Sequence, residues 1–225
     1  MQESKYTKEE IQDLIKGHKF EYHKVELPYG LHTRGEDRSD TRDLIFPGSL
    51  EGKSVLDIGC ALGYMSFSAE DLGADRVVGI ELKDSRFESA QLLKDIKQSK
   101  VEFIQKDIIK DPIDEKFDIV IFLNVIHHLT EPMMAMRKLA QIAKEQLIIE
   151  FPTLEDRKYK RSFWGGVKDV NQQPLIGVSN TKNGQTFVFS PPAIERILMD
   201  HDQLFKSITF KKSPMKGRMI AFCNK

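Results

Sequence analysis

Cysteine is scarce in this chain, with Cys60 and Cys223 the only two among 225 residues. A pair so far apart makes no disulfide framework, and no C-x-x-C or C-x-x-H spacing marks a zinc site, so no metal is expected. An excess of charge is missing too: 34 Lys and Arg stand against 34 Asp and Glu, for a formal net charge of zero. That excludes a global field drawing the chain to nucleic acid or membrane and leaves only local patches. No run approaches the ~18 apolar residues of a membrane span. The first residues, "MQESKYTKEEIQDLIKGHKF", carry charge throughout and have no apolar centre, unlike a secretory signal. These absences set the expectation of a cytoplasmic protein. The length suits one domain with an insertion, and 40% hydrophobic with 30% charged residues is an ordinary balance.

What is present is an alternation of strands and helices. Thr7 and Glu10 have capping-box spacing, and Ile11, Leu14 and Ile15 form a stripe, which predicts a helix over 7–18. Residues 20–45 read as irregular, with a short strand near Tyr22–Leu27. Strands are then expected at Ser54–Ile58, Arg76–Glu81, Val101–Gln105, Phe117–Leu123 and Glu145–Glu150. Helices are expected at Tyr64–Leu72, Ser85–Gln98 and Met133–Ile142. Residues 152–186 break the pattern and read as a lid or functional insertion. Phe187–Phe189, a helix from Pro191 to about Asp200 and the strands Ser207–Lys211 and Arg218–Cys223 follow. The expected fold is α/β: a doubly wound, mostly parallel, seven-stranded Rossmann-like sheet with an antiparallel C-terminal edge hairpin. Residues 1–45 are read as a cofactor-covering segment and 46–225 as the main domain.

The stretch "VLDIGCALGYMSF" (55–67) is a strand, a glycine turn and a helix start, as in open α/β sheets that hold nucleotide-bearing cofactors. The dinucleotide fingerprint does not fit it. The position for close pyrophosphate approach holds Ala61, and that for helix–strand packing holds Tyr64. S-adenosylmethionine (SAM), with adenine and ribose but no phosphate, needs only the two glycines, Gly59 and Gly63. Glu81, roughly 20 residues on, is placed to accept from ribose hydroxyls. Asp107 can take the adenine amino group while Ile108 packs on the ring. Each has a simpler reading: the glycines turn a strand into a helix, Asp57 and Asp107 cap helices, and Glu81 is a solvated strand end. Their order at the carboxyl ends of three successive strands favours a cofactor.

The segments "VLDIGCALG", "VVGIEL", "VEFIQKDI" and "FDIVIFLNVIHHL" resemble, in order, the motifs of class I SAM-dependent methyltransferases over residues 45–151. The resemblance implies SAM as cofactor, with Asp57, Gly59, Cys60, Gly63, Glu81, Leu82, Asp107, Ile108, Leu123 and Arg42 as its contacts. "ELPYGLHTRGEDRSDTRD", "LNVIHHLTEP" and "GRMIAFCNK" further resemble the bacterial tRNA wobble-uridine carboxymethyltransferase family, which uses carboxy-SAM. That resemblance puts Arg42 and Arg218 on basic positions and, more loosely, a lysine near His23–Lys24. The chain departs at Asp37, where that family has an aromatic, and at His127, where it has a tyrosine. An added acid repels a carboxylate-bearing cofactor, which points to ordinary SAM.

Methyl transfer to a hydroxyl needs a base, and His titrates near neutrality. His127 and His128, after the fourth strand, are the candidates for base or acceptor positioning. The alternative is that one of them anchors the loop. Asn124 and Glu150 are further polar candidates at strand ends. In "EDRKYKRSFWGG", Arg157, Lys158, Lys160 and Arg161 surround Tyr159, Phe163 and Trp164, with Lys168 beyond. Arg157, Tyr159, Arg161 and Trp164, with Arg218, are read as binding an anionic acceptor. Single-stranded nucleic acid and a solvated loop are the other readings of that run. The expectation is a methyl group moved to oxygen or nitrogen of a small phosphate-, phosphoramidate- or nucleotide-sugar-like acceptor. A tRNA-modifying enzyme and a non-catalytic SAM-binding subunit are the alternatives.

Overall fold

The computed structural model describes residues 4–18, 20–153, 172–178 and 187–225. Helix α1 (Lys8–Gly17) starts at the expected capping box: Thr7 Oγ1 accepts from the Glu10 amide, and Glu10 Oε2 accepts from the Thr7 amide at 2.7 Å. The other elements are α2 (Ser39–Ile45), β1 (Ser54–Ile58), α3 (Tyr64–Asp71), β2 (Arg76–Glu81), α4 (Asp84–Lys97), β3 (Glu102–Gln105), β4 (Phe117–Leu123), α5 (Pro132–Ile142), β5 (Ala143–Pro152), β6 (Ile176–Val178), β7 (Phe187–Phe189), α6 (Pro191–Glu195), β8 (Ser207–Lys212) and β9 (Arg218–Asn224). The order in the main sheet is β3-β2-β1-β4-β5-β9-β8, and β6 and β7 pair separately. The seven-stranded, mostly parallel sheet with its antiparallel β8–β9 pair matches the expected fold class.

The chain divides into two compact units, Met1–Asp107 and Ile108–Lys225. In the first, β1, β2 and β3 pair in parallel, with Asp57 opposite Gly79 and Glu81 opposite Gln105. Parallel strands are covered on both faces and so read as continuous apolar runs, as Val55, Leu56 and Ile58 do. Helix α4 buries Ala90, Leu93 and Ile96 at helical spacing, and each fully buried large side chain contributes about 1.5–3 kcal/mol. Two glycines are dictated by Phe103. A Cβ on Gly79 would lie 2.6 Å from its ring, and one on Gly63 would lie 2.5 Å from it; Gly63 also has φ +80°.

In the second unit β4 and β5 are parallel, and β9 runs antiparallel to both β5 and β8. Pro132 opens α5 at a position where no amide donor is needed.

Some expectations need correcting. Residues 22–27 form two isolated bridges, His23 with Glu36 and Glu26 with His32, rather than a strand. The Thr33 side chain interrupts the ladder between this stretch and residues 31–36: its Oγ accepts from the Val25 amide at 2.8 Å and donates to the His23 carbonyl at 2.5 Å. Helix α2 lies in the stretch read as irregular. Only Thr41 and Ile45 are buried in it, too few to show as a stripe. Strand β5 runs beyond Glu150 to Pro152, because β9 supplies partners as far as Arg218. The helix from Pro191 stops at Glu195 and continues as a π-helical turn over Arg196–His201. Part of the expected insertion is strand β6.

Candidate functional site

The first unit presents an acidic pair at the strand ends. Asp57, in β1, is buried and accepts from Ser66 Oγ at 2.7 Å. Burial pushes its carboxyl up to about 7; the Ser66 hydrogen bond opposes this, and the nearby Glu81 charge adds to it. In the unfolded chain Asp57 gives up its proton near pH 4, so the folded state binds more protons between about pH 4 and 7. This contribution to stability is whole below pH 4 and is lost as pH rises through 7. Asp57→Asn is therefore expected to gain stability relative to the wild type between pH 5 and pH 8. Paired thermal melts check this, and a constant difference in Tm across that range refutes it.

Glu81 is also buried, yet it is not a bare strand end. Its Oε2 accepts from the Ala61 amide at 2.9 Å, and its Oε1 accepts from the Leu82 and Lys83 amides at 2.9 and 3.0 Å. The first of these bonds ties β2 to the glycine turn. There Gly59, Ala61 and Gly63 all have positive φ, at 70°, 51° and 80°. Ala61 has no glycine's freedom, so its left-handed backbone costs about 1–2 kcal/mol, which the charged hydrogen bond to Glu81 offsets. An ionised carboxylate has about four acceptor sites, so three amides leave capacity for a hydroxyl. Leu82 beside it is 56% exposed, an apolar surface next to a carboxylate. Cys60 is buried, and burial pushes its thiol well up. Asp107 is half-buried just beyond β3. These features fit an adenosine-bearing ligand: a carboxylate with capacity for a ribose hydroxyl, an apolar face and a glycine turn.

Arg42 bonds its neighbour Asp43 at 2.8 and 2.7 Å. Asp37 accepts from Ser39 and from Lys24, which hold its carboxyl down to about 2, so it carries charge at neutral pH. Arg38, only 4% exposed, was not singled out by sequence reasoning; burial of an arginine leaves no local signal.

The second unit gathers other expected residues. Ile108 is buried and Leu123 half-buried. His127 and His128 end a 3₁₀ turn, Ile126–His128, with rings 4.1 Å apart. His127 is buried and His128 exposed, so the pair splits into one anchored and one accessible ring.

Asn124, Glu150 and Arg218 are brought together. Register explains it: Leu123 pairs with Glu150, and Pro152, two residues along the same face, pairs with Arg218. Asn124 follows β4 with φ 59°, a conformation Asn tolerates. Its Nδ2 donates to Glu150 Oε2 at 2.6 Å and to Met215 Sδ at 3.2 Å. Its Oδ1 accepts from Arg218 Nη1, and Ser213 Oγ donates to Glu150 Oε1. Ser213 and Met215 went unnoticed in the sequence, where the β8–β9 turn reads only as polar. Arg157, Tyr159, Arg161 and Trp164 lie outside the described residues.

Comparison with known proteins identifies the family. The family described as "Methyltransferase domain" matches residues 49–184. A ubiquinone biosynthesis O-methyltransferase of Neisseria meningitidis serogroup C is 29% identical over 108 residues, covering 47% of this chain and 45% of that protein. A tRNA U34 carboxymethyltransferase of Trichodesmium erythraeum is 31% identical over 130 residues, covering 54% and 40%. The chain thus spans less than half the length of these curated relatives. Among solved structures, magnesium protoporphyrin IX methyltransferase of Synechocystis PCC 6803 with bound SAH superposes with a TM-score of 0.60 at 21% identity, over 82% of each chain. At that identity it supports the fold alone.

Proposed function

The chain belongs to the methyltransferase-domain family, and from that premise we propose that it uses SAM to methylate oxygen or nitrogen of a small anionic acceptor. The observation that carries the cofactor assignment is Glu81, a buried carboxylate with acceptor capacity left over, fastened to the glycine turn beside the exposed Leu82. Glu81 takes a ribose hydroxyl and Leu82 one face of the adenine, with Gly59 and Gly63 leaving room for the rest. SAM supplies an electrophilic methyl on a sulfonium, with sulfur taking the bonding electrons. The chain's own residues position the acceptor and move its proton. The exposed His128 takes the proton of an attacking hydroxyl as the new bond forms, and the buried His127 holds the turn that carries it. Arg218 attracts the acceptor's negative group.

The test is a panel of phosphate-, carboxylate- and nucleotide-bearing metabolites, with neutral hydroxyl and amine compounds beside them, incubated with SAM and the full chain, reading S-adenosylhomocysteine. Turnover confined to anionic acceptors is expected. SAM binding with no turnover on any of them leaves a non-catalytic SAM-binding subunit instead. The second reading, a tRNA-modifying enzyme, is favoured by the likeness to a tRNA U34 carboxymethyltransferase. It requires tRNA affinity that falls steeply with salt, and absence of binding at low salt removes it.

A further inference from the structure

Arg218 is held in an unusual way. The carboxylate in its network, Glu150, bonds the other side of the neutral Asn124 amide. The chemistry leaves little choice in how this amide points. Its oxygen faces a guanidinium, which can only donate, and its nitrogen faces a carboxylate, which when ionised can only accept. Turning the amide over would set like against like on both sides. Glu150, wholly buried, gives one oxygen to Asn124 and the other to Ser213. Among the described residues Arg218 forms no ion pair, and it is half-buried, at the start of β9.

We infer that Asn124 is a specificity-determining residue. It positions the Arg218 guanidinium while keeping it from pairing with Glu150, so that Arg218 stays charged for an incoming carboxylate or phosphate. A direct Glu150–Arg218 pair would hold the arginine equally well and cancel its charge. A neutral spacer holds it without cancelling it. Met215, whose sulfur contacts the same amide nitrogen, gives the spacer an uncharged side. Ser213 acts through Glu150, fixing the oxygen that the amide does not use. The inference rests on the anionic-acceptor reading above but needs neither SAM nor turnover.

The experiment is an NMR titration of the full chain with inorganic phosphate and, separately, with acetate, following the arginine side-chain resonances. The two arms show which anion Arg218 prefers. The wild type is expected to bind at least one of them at low ionic strength, and Arg218→Gln to lose that binding. Asn124→Asp keeps the shape but puts a carboxylate against Arg218; a loss of tenfold or more is expected. Asn124→Gly suits the left-handed backbone but removes the spacer, so Arg218 can pair with Glu150 and a loss of tenfold or more is expected there too; adding Glu150→Gln to Asn124→Gly removes that competing charge and is expected to recover binding to within about threefold of the wild type. If Asn124 were only structural, Asp would resemble the wild type and Glu150→Gln would recover nothing in the Gly variant. Either result overturns the inference, as does a wild type that binds neither anion. A SAM titration of the same samples reads the cofactor assignment separately, so its failure is distinguishable from failure of the anion site.

Discussion

Glu81→Ala is expected to weaken SAM binding by about 10- to 150-fold, the equivalent of about 1.5–3 kcal/mol for hydrogen bonds to a charged group. Two losses combine. The ribose loses its acceptor, and the Ala61, Leu82 and Lys83 amides lose theirs, which loosens the turn around the left-handed Ala61. Because SAM and S-adenosylhomocysteine share the ribose, both should weaken by the same factor in calorimetry. Glu81→Gln keeps the shape and one oxygen, and should fall between wild type and Ala. Unchanged affinity in the Ala variant would sink the ribose assignment.

The second large effect concerns the paired histidines, which should respond differently to the same change. His128→Ala is expected to lower kcat by about 100- to 10,000-fold on a hydroxyl acceptor, the range for loss of a general base. The fold should survive, because the ring is exposed. The pH–rate profile should also change shape, because the base it reports is gone. His127→Ala instead leaves a cavity in place of a buried ring, and stability should suffer first. Rates and thermal melts of both variants separate these roles. A His128→Ala enzyme with a normal rate across pH removes it as the base.

Asp57, Glu81 and Asn124 show how tertiary surroundings change what a residue type implies. A carboxylate at a strand end was readable from sequence. That burial raises Asp57 while Glu81 is fastened by three amides was not, because it depends on Ser66 and Ala61 lying alongside.

The sequence by itself determined the alternation of elements, the glycine turn and the acid ending the second strand, along with the expected helix at Lys8–Gly17. These rest on local physics: apolar period, capping chemistry, and the backbone freedom that a tight turn demands. It also marked Asn124, Glu150 and Arg218 as polar groups worth attention. Only the tertiary structure decided that these three form one network, since β9 reaches β5 across some 70 residues of chain and its register follows from pairing rather than from local preference. It also decided which histidine is accessible, because adjacent residues in a 3₁₀ turn point different ways and the packing around them selects the buried one. The short strand expected at 22–27 failed for the same reason. Backbone bonds to residues 31–36 do form, but the side chain of a threonine eight residues away takes the Val25 amide and interrupts the ladder.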